Sequence, residues 1–179
     1  MKYFQLNKIY VKYIFTAFLC LAFSFVYAQS NDSTLMNLPD VTVKTLDNKT
    51  IHTNEITNNG NPIILVFWKS CCPPNIKMLD ALNEVYSDWQ AETGVVLYAI
   101  SIDDSKNSSK IPPMVNGKGW EFNVLLDANS DFKRAMNVVA TPHVFIINGN
   151  YEIVWQKTTY MPGEEEEIYK YLKTIKNKP

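Results

Sequence analysis

The sequence predicts a single α/β domain in which a mixed β-sheet carries helices on both faces. Residues 62–68 and 95–102 are continuous apolar runs of strand length, which is typical of strands that are covered on both faces. Between them, residues 73–93 repeat apolar side chains at three- and four-residue spacing, which predicts an amphipathic helix. Two shorter runs flank a turn signal at residues 148–150, which predicts a hairpin beside the parallel strands.

The N-terminal segment has the pattern of a secretory signal peptide, which we assign to residues 1–28. Its first 12 residues carry three lysines and no acidic residue, and an apolar run of about 15 residues follows. A membrane-spanning helix needs roughly 20 apolar residues. We therefore favour cleavage after Ala28 over a retained membrane anchor, expect Cys20 to leave with the leader, and expect no stable membrane span in the mature chain.

Residues 29–38 are mostly small and polar, so we interpret them as a flexible linker, and residues 39–179 as the folded domain. Removing the leader leaves 14 basic and 18 acidic residues, a formal charge of −4. This balance argues against nucleic acid as a partner. A signal peptide on such a domain predicts a periplasmic location.

The remaining elements follow from local signals. Residues 40–44 and 50–52 alternate around Asp47 and Asn48 and predict an N-terminal β-hairpin extension. Residues 107–119, broken by Pro112 and Pro113, predict an irregular or partly helical connection to a strand at residues 122–126.

The last third of the chain is predicted to hold a short helix, the hairpin and a closing helix. The short helix covers residues 130–136, with Ser130 as a possible cap. The hairpin strands are residues 143–147 and 151–155, and the closing helix is residues 164–176. Its acidic first turn suits the helix dipole, and we assign that turn no chemistry.

The two cysteines that remain in the mature chain are adjacent, so they cannot close a long stabilising loop. Cys72 lies at the predicted helix start, where backbone N–H groups, the helix dipole and nearby Lys69 favour a thiolate. We therefore expect a lowered Cys72 pKa and a nucleophilic sulfur. The alternative is that Cys72 is only a small buried apolar residue.

Four features carry a resemblance to a known family: residues 67–68 ending the central strand, residues 72–74 opening the helix, residues 138–142 before a strand, and the terminal hairpin and helix. Over nearly the whole mature chain, the sequence resembles the thioredoxin superfamily, and within it the exported TlpA/ResA-like thiol–disulfide oxidoreductases. The resemblance implies a thioredoxin-like fold. It also implies a Trp-Cys-x-x-Cys site, in which the first cysteine attacks, the second resolves, and a cis-proline loop holds the substrate.

Carried over to this chain, the resemblance makes Cys72 the attacking cysteine and Pro142 the cis-proline, with Thr141 presenting its backbone beside the sulfur. The residues expected to support the site or to contact substrate are Trp68, Lys69, Cys71, Pro73, Pro74, Asn75, Thr141 and Pro142.

This chain departs from the family pattern at three positions. Asn75 replaces the resolving cysteine, Met78 replaces a glutamate that often moves protons, and Cys71 replaces the tryptophan. A mixed disulfide on a lone Cys72 would persist until an outside thiol arrived. We therefore expect a monothiol oxidoreductase that acts on disulfides or thiols of exported proteins or on small thiols. The alternative is a catalytically degenerate module that binds peptides or copper(I).

A bond between Cys71 and Cys72 is not expected as the resting state, because adjacent residues cannot reach ordinary disulfide geometry without strain. No metal or other cofactor is expected. Cys71, Cys72 and His143 are a minor candidate set for copper(I) or zinc. Asp103 and Asp104 are expected to cap or turn the chain. Peroxidase chemistry is disfavoured, because Lys69 stands where such sites have threonine or serine.

Overall fold

The computed structural model describes residues 38–176, which form one mixed sheet of seven strands with four α-helices. The strands are β1 (Thr42–Thr45), β2 (Thr50–His52), β3 (Ile63–Trp68), β4 (Val96–Ser101), β5 (Asn123–Leu126), β6 (His143–Ile147) and β7 (Ile153–Thr158). The helices are α1 (Pro73–Thr93), α2 (Ile111–Lys118), α3 (Asp131–Ala135) and α4 (Glu165–Lys176). The predicted α/β class is confirmed.

The strand order across the sheet is β2-β1-β5-β4-β3-β6-β7. Strand β3 pairs in parallel with β4 and antiparallel with β6, and all six of its residues are buried. The predicted N-terminal hairpin is β1 and β2, and β1 also extends the sheet by pairing antiparallel with β5. The apolar run at residues 62–68 therefore lies inside the sheet, as an uninterrupted buried strand requires.

The core lies on both faces of the sheet, because successive side chains of a strand point to opposite faces. On one face, Ile64, Val66 and Trp68 of β3 pack with α1, α2 and α4. On the other face, Phe67 packs edge-on against Phe132 of α3, with ring centroids 5.1 Å apart. Burying one such side chain contributes about 1.5–3 kcal/mol. The helices thus lie on both faces, as the element order predicted.

Helix α1 positions the predicted site residues that lie at its N-terminus. Two prolines form its first turn, where a missing N–H costs nothing, and its buried side chains face the sheet. The helix ends at Thr93, and the next residue, Gly94, has a φ of 70° and donates its N–H to the carbonyl of Gln90. A Cβ at Gly94 would also approach the Asn61 side chain to 3.0 Å. The positive φ and the close approach of Asn61 both explain why the residue after the helix is a glycine.

The connection at residues 107–119 is partly helical, which is one of the two forms predicted, because Pro112 and Pro113 occupy the first turn of α2, where a helix accepts proline. Ser130 occupies the N-cap position of α3, as predicted, but it has a φ of 57° and its side chain makes no capping hydrogen bond. The buried carboxylate of Asp127 instead accepts the N–H groups of Phe132 at 3.2 Å and Lys133 at 2.8 Å.

The predicted signal peptide and residues 29–37 of the predicted linker lie outside the described residues. Leu38, which we assigned to the linker, is buried and packs in the core that contains Phe67, so the folded part begins at least one residue earlier. Among the helices of the described part, none has the length and apolarity needed to cross a membrane.

The acidic residues at the start of α4 and just before it make surface ion pairs. Lys157 of β7 contacts Glu164 at 2.8 Å and Glu167 at 2.9 Å. These contacts raise the pKa of Lys157, and the hydrogen bond that Lys157 donates to Glu164 is the largest cause. The acidic run thus secures the end of the helix to strand β7.

Candidate active site

The sheet topology brings three chain segments to one end of the molecule. Strand β3 is antiparallel to β6, with Phe67 opposite His143, so the end of β3 lies beside the beginning of β6. The residues after β3 lead into the start of α1, and residues 139–142 lead into β6. The site residues that follow lie on these connections.

The two thiols lie next to each other at the start of α1. The Sγ atoms of Cys71 and Cys72 are 3.4 Å apart, within hydrogen-bonding distance and without a bond between them. Cys71 is exposed and Cys72 is partly exposed. Cys72 occupies the N-cap position of the helix, as predicted from the sequence, but its side chain bonds none of the free helix N–H groups.

The expectation of a lowered Cys72 pKa is wrong. The hydrogen bond with the Cys71 thiol is the largest cause of a raised Cys72 pKa, and burial adds to it. The charge of Lys69 and a hydrogen bond from Asn75 lower the pKa but do not reverse the direction. The helix end also stabilises a thiolate less than expected, because Pro73 and Pro74 have no N–H to donate to it.

Asn75 lies beneath the thiols and links the helix to the proline loop. Its side chain is fully buried, and its Nδ2 donates to Thr141 Oγ1 at 3.5 Å. Its Oδ1 is buried with no hydrogen-bond partner. Met78, one turn further along, is buried in the core. At these two positions the structure thus offers one amide and one thioether, without a second thiol or a carboxylate.

The loop before the thiols is held by the carboxylate of Asp103, which the sequence predicts only to cap or turn the chain. Asp103, which is 2% exposed, accepts hydrogen bonds from the Ser70 N–H at 2.9 Å and the Ser70 hydroxyl at 2.7 Å. It also accepts one from the Ser101 hydroxyl at 2.9 Å. A serine and an aspartate 33 residues apart give no local signal, so only the fold reveals this contact.

The Thr141–Pro142 peptide bond is cis. The carbonyl of Pro142 accepts a hydrogen bond from the Thr159 N–H at 2.9 Å, which holds the segment after β7 against this loop. Val139 is 85% exposed and Met161 is 62% exposed. Val139 is therefore a bare apolar side chain on the connection that leads to the cis-proline, and Met161 is a second one on the segment that follows β7; neither is among the site residues predicted from the sequence.

The other predicted supporting residues occupy different depths. Trp68 is fully buried, packs edge-on against Trp120 with ring centroids 5.4 Å apart, and leaves its Nε1 without a partner. It supports the site from behind and cannot contact a substrate. Lys69 is partly exposed, and Pro73 and Pro74 are exposed beside Cys72.

The candidate metal set of Cys71, Cys72 and His143 is not assembled. His143 shares a sheet face with Phe145, which packs on the face opposite α1. Its ring stacks on Phe145 at 4.3 Å, and its nitrogens contact Gln156 at 3.2 Å and Thr158 at 3.3 Å.

Burial lowers the pKa of His143, with Gln156 opposing the shift. No group of three or more histidine, cysteine or acidic side chains in residues 38–176 is arranged to hold a metal ion.

Comparison with known proteins gives consistent matches. A family model described as the AhpC/TSA family matches residues 36–156. The sporulation thiol-disulfide oxidoreductase A of Bacillus subtilis is 24% identical over 126 residues, covering 70% of this chain and 73% of that protein. The thiol-disulfide oxidoreductase ResA of Bacillus thuringiensis is 29% identical over 139 residues, covering 76% and 75%.

Among solved structures, a thioredoxin-like protein from Porphyromonas gingivalis is 48% identical. It superposes with a TM-score of 0.70 over 77% of this chain and 90% of that chain. The predicted resemblance and the thioredoxin-like fold are confirmed.

Proposed function

Because this chain belongs to the AhpC/TSA family of thioredoxin-like proteins, we propose that it is an exported thiol–disulfide oxidoreductase that acts through Cys72 alone. The observation that carries the proposal is the pairing of a partly exposed Cys72 at a helix start with a buried Asn75 in place of a second thiol. Relatives that are named thiol-disulfide oxidoreductases support the reaction class.

In the proposed reaction, the Cys72 thiolate attacks one sulfur of a substrate disulfide. An S–S bond forms between Cys72 and the substrate, the substrate S–S bond breaks, and the departing sulfur takes up a proton. Asn75 has no sulfur to displace the bound substrate. An outside thiol therefore attacks Cys72 Sγ, and a further equivalent of that thiol completes the reduction, so that two outside thiols are oxidised for each substrate disulfide reduced.

Cys71 does not take the resolving role in this scheme. Ordinary disulfides join residues whose Cα atoms lie about 5.5–6 Å apart, whereas adjacent Cα atoms are about 3.8 Å apart. A Cys71–Cys72 bond would be strained and readily reduced. The proposal therefore keeps the two thiols as separate groups, with Cys71 acting on the pKa of Cys72.

The loop at Thr141 and Pro142 is proposed to receive the substrate chain. Its partial exposure at Thr141, its link to Asn75 and the exposed Val139 support this assignment. An exposed apolar side chain on this loop suits a polypeptide better than a small charged thiol. The proposed substrates are therefore thiol- or disulfide-containing exported proteins, with small thiols as reductants.

The proposed location is the periplasm. It rests on the leader-like first 28 residues and on the relatives' family. The formal charge of −4 calculated for the chain after leader removal is consistent with protein partners and unfavourable for nucleic acid.

The test is reduction of a protein disulfide by the full chain carrying Cys20→Ser, in which Cys71 and Cys72 are the only thiols. The proposal predicts turnover that requires glutathione, a mixed disulfide on Cys72 detectable by mass spectrometry, and loss of both in Cys72→Ser. Asn75→Cys should make the first turnover independent of glutathione. Asn116→Cys, which places a thiol on the exposed surface of α2, is the matched control.

Three outcomes separate the alternatives. Glutathione-dependent turnover that Cys72→Ser abolishes supports the monothiol oxidoreductase. An inert parent whose Asn75→Cys variant is active supports a binding module that has lost turnover. An inert Asn75→Cys variant would contradict the assignment of residue 75 as the resolving position.

A further inference from the structure

The adjacent thiols form a two-sulfur site that the proposed reaction does not use as a pair. Their Sγ atoms lie 3.4 Å apart, and Cys71 is exposed, so one side of the pair is open to solvent. Thiolates are soft ligands and select soft, thiophilic centres. A metal or metalloid that binds this pair must accept two sulfurs about 3.4 Å apart without a third ligand from the protein.

Zinc does not match. A structural zinc site needs four ligands, and no third histidine, cysteine or carboxylate joins the two thiols within residues 38–176. Tetrahedral zinc with Zn–S bonds of about 2.3 Å also spaces its sulfurs about 3.8 Å apart. Two-coordinate copper(I) matches less well, because it places its sulfurs on opposite sides of the metal.

Trivalent arsenic suits both the spacing of the two sulfurs and the lack of a third protein ligand. It is pyramidal and three-coordinate, so two sulfurs bind on the same side at roughly a right angle, and the third substituent can come from the reagent. The exposed side of Cys71 leaves room for that substituent. One large atom between the sulfurs also avoids the close approach of about 2.05 Å that a disulfide requires. The adjacency of Cys71 and Cys72, which disfavours a disulfide between them, thus favours binding of one arsenic atom by both sulfurs.

We propose that Cys71 and Cys72 together bind one trivalent arsenic centre, inorganic or organic, as a bidentate dithiol site. The inference goes beyond the proposed oxidoreductase function and does not rest on it. With hydrated phenylarsine oxide, two As–O bonds break and two As–S bonds form. Each thiol proton leaves with a hydroxide as water, so two waters are released and no oxidation state changes.

The test is titration of the reduced full chain carrying Cys20→Ser with phenylarsine oxide, followed by calorimetry and intact mass. Binding through two linked sulfurs should give one arsenic per chain and an affinity at least roughly 100-fold higher than in Cys71→Ser or Cys72→Ser on the same background. A small 1,2-dithiol should displace the arsenical, whereas an equal concentration of glutathione should not. Arsenite, as a second probe, should also bind with one arsenic per chain.

Each single variant removes one sulfur and keeps the other, so it measures how tightly a single thiol binds the arsenical. Cys71 is exposed, so Cys71→Ser should leave the circular dichroism spectrum unchanged while it abolishes tight binding. Equal affinity in the parent and in Cys71→Ser, or two arsenicals bound per chain, would overturn the proposal. Because binding is measured without turnover, an inactive oxidoreductase that still chelates arsenic would contradict only the proposed function.

Discussion

The buried carboxylate of Asp103 holds Ser70 by two hydrogen bonds, one from the backbone N–H at 2.9 Å and one from the hydroxyl at 2.7 Å. Ser70 immediately precedes the two thiols, and Asp103 follows strand β4. This contact fixes the loop to the neighbouring strand. The position of Cys71 and Cys72 therefore depends on a residue distant in sequence.

Replacing Asp103 should loosen this loop. Asp103→Ala leaves the Ser70 N–H and hydroxyl without their acceptor, and hydrogen bonds to a charged group contribute about 1.5–3 kcal/mol. We expect a loss of that size in the free energy of unfolding, measured in urea. Asp88→Ala, an exposed acid on α1, is the control and should change it by less than about 0.5 kcal/mol. Equal losses in the two variants would contradict the role of Asp103.

Removing the Cys71 thiol should make Cys72 more reactive at neutral pH. The Cys71 thiol raises the pKa of Cys72, so Cys71→Ala should lower that pKa and increase the thiolate fraction. Each unit of pKa corresponds to about tenfold in thiolate below the pKa. We expect faster alkylation of Cys72 by iodoacetamide at pH 7, followed by peptide mapping across a pH series.

Lys69→Met provides the opposite control for this experiment. The Lys69 charge lowers the pKa of Cys72, so its loss should slow alkylation at the same pH. An unchanged or slower rate in Cys71→Ala would show that the neighbouring thiol does not control Cys72.

A charge introduced at the exposed apolar side chain of the proline loop should weaken the binding of protein substrates and leave small substrates unaffected. Val139 is 85% exposed, and covering such a side chain contributes roughly 1.5 kcal/mol, or about tenfold in affinity. Val139→Asp should therefore raise KM for a protein disulfide about tenfold and leave reduction of a small disulfide unchanged. Val154→Asp, on an exposed position of β7, should change neither. A parallel loss with both substrates in Val139→Asp would exclude a docking role.

His143 should make the fold less stable in mild acid. Burial lowers its pKa in the folded state, whereas in the unfolded chain the pKa is ordinary, near 6.5. As pH falls below about 6.5, the unfolded chain takes up the proton first, so stability decreases until the pH passes the folded-state pKa.

His143→Asn removes this titration. The free energy of unfolding in urea at pH 7.5, 6.5 and 5.5 should fall less steeply in the variant than in the parent. Contributions from the carboxylates and from exposed His52 are common to both proteins and cancel in the comparison. Equal slopes would show that His143 does not carry the acid sensitivity.

Local patterns determined the elements of this protein and much of the site. The buried run at residues 62–68, the spacing in residues 73–93 and the turn at residues 148–150 predicted β3, α1 and the β6–β7 hairpin. Burial and helix periodicity act over a few residues, so they are readable without the fold. The place of Cys72 at the start of α1 followed from the same local signals.

Only the tertiary structure decided how these parts act on one another. It placed Asp103 under Ser70, put His143 on the sheet face opposite α1, and set the Sγ atoms of Cys71 and Cys72 3.4 Å apart, which reversed the expected shift in the Cys72 pKa. Hydrogen bonds, sheet faces and thiol contacts depend on register and rotamer. They join side chains whose positions are fixed by packing across the sheet, and local sequence does not encode those positions.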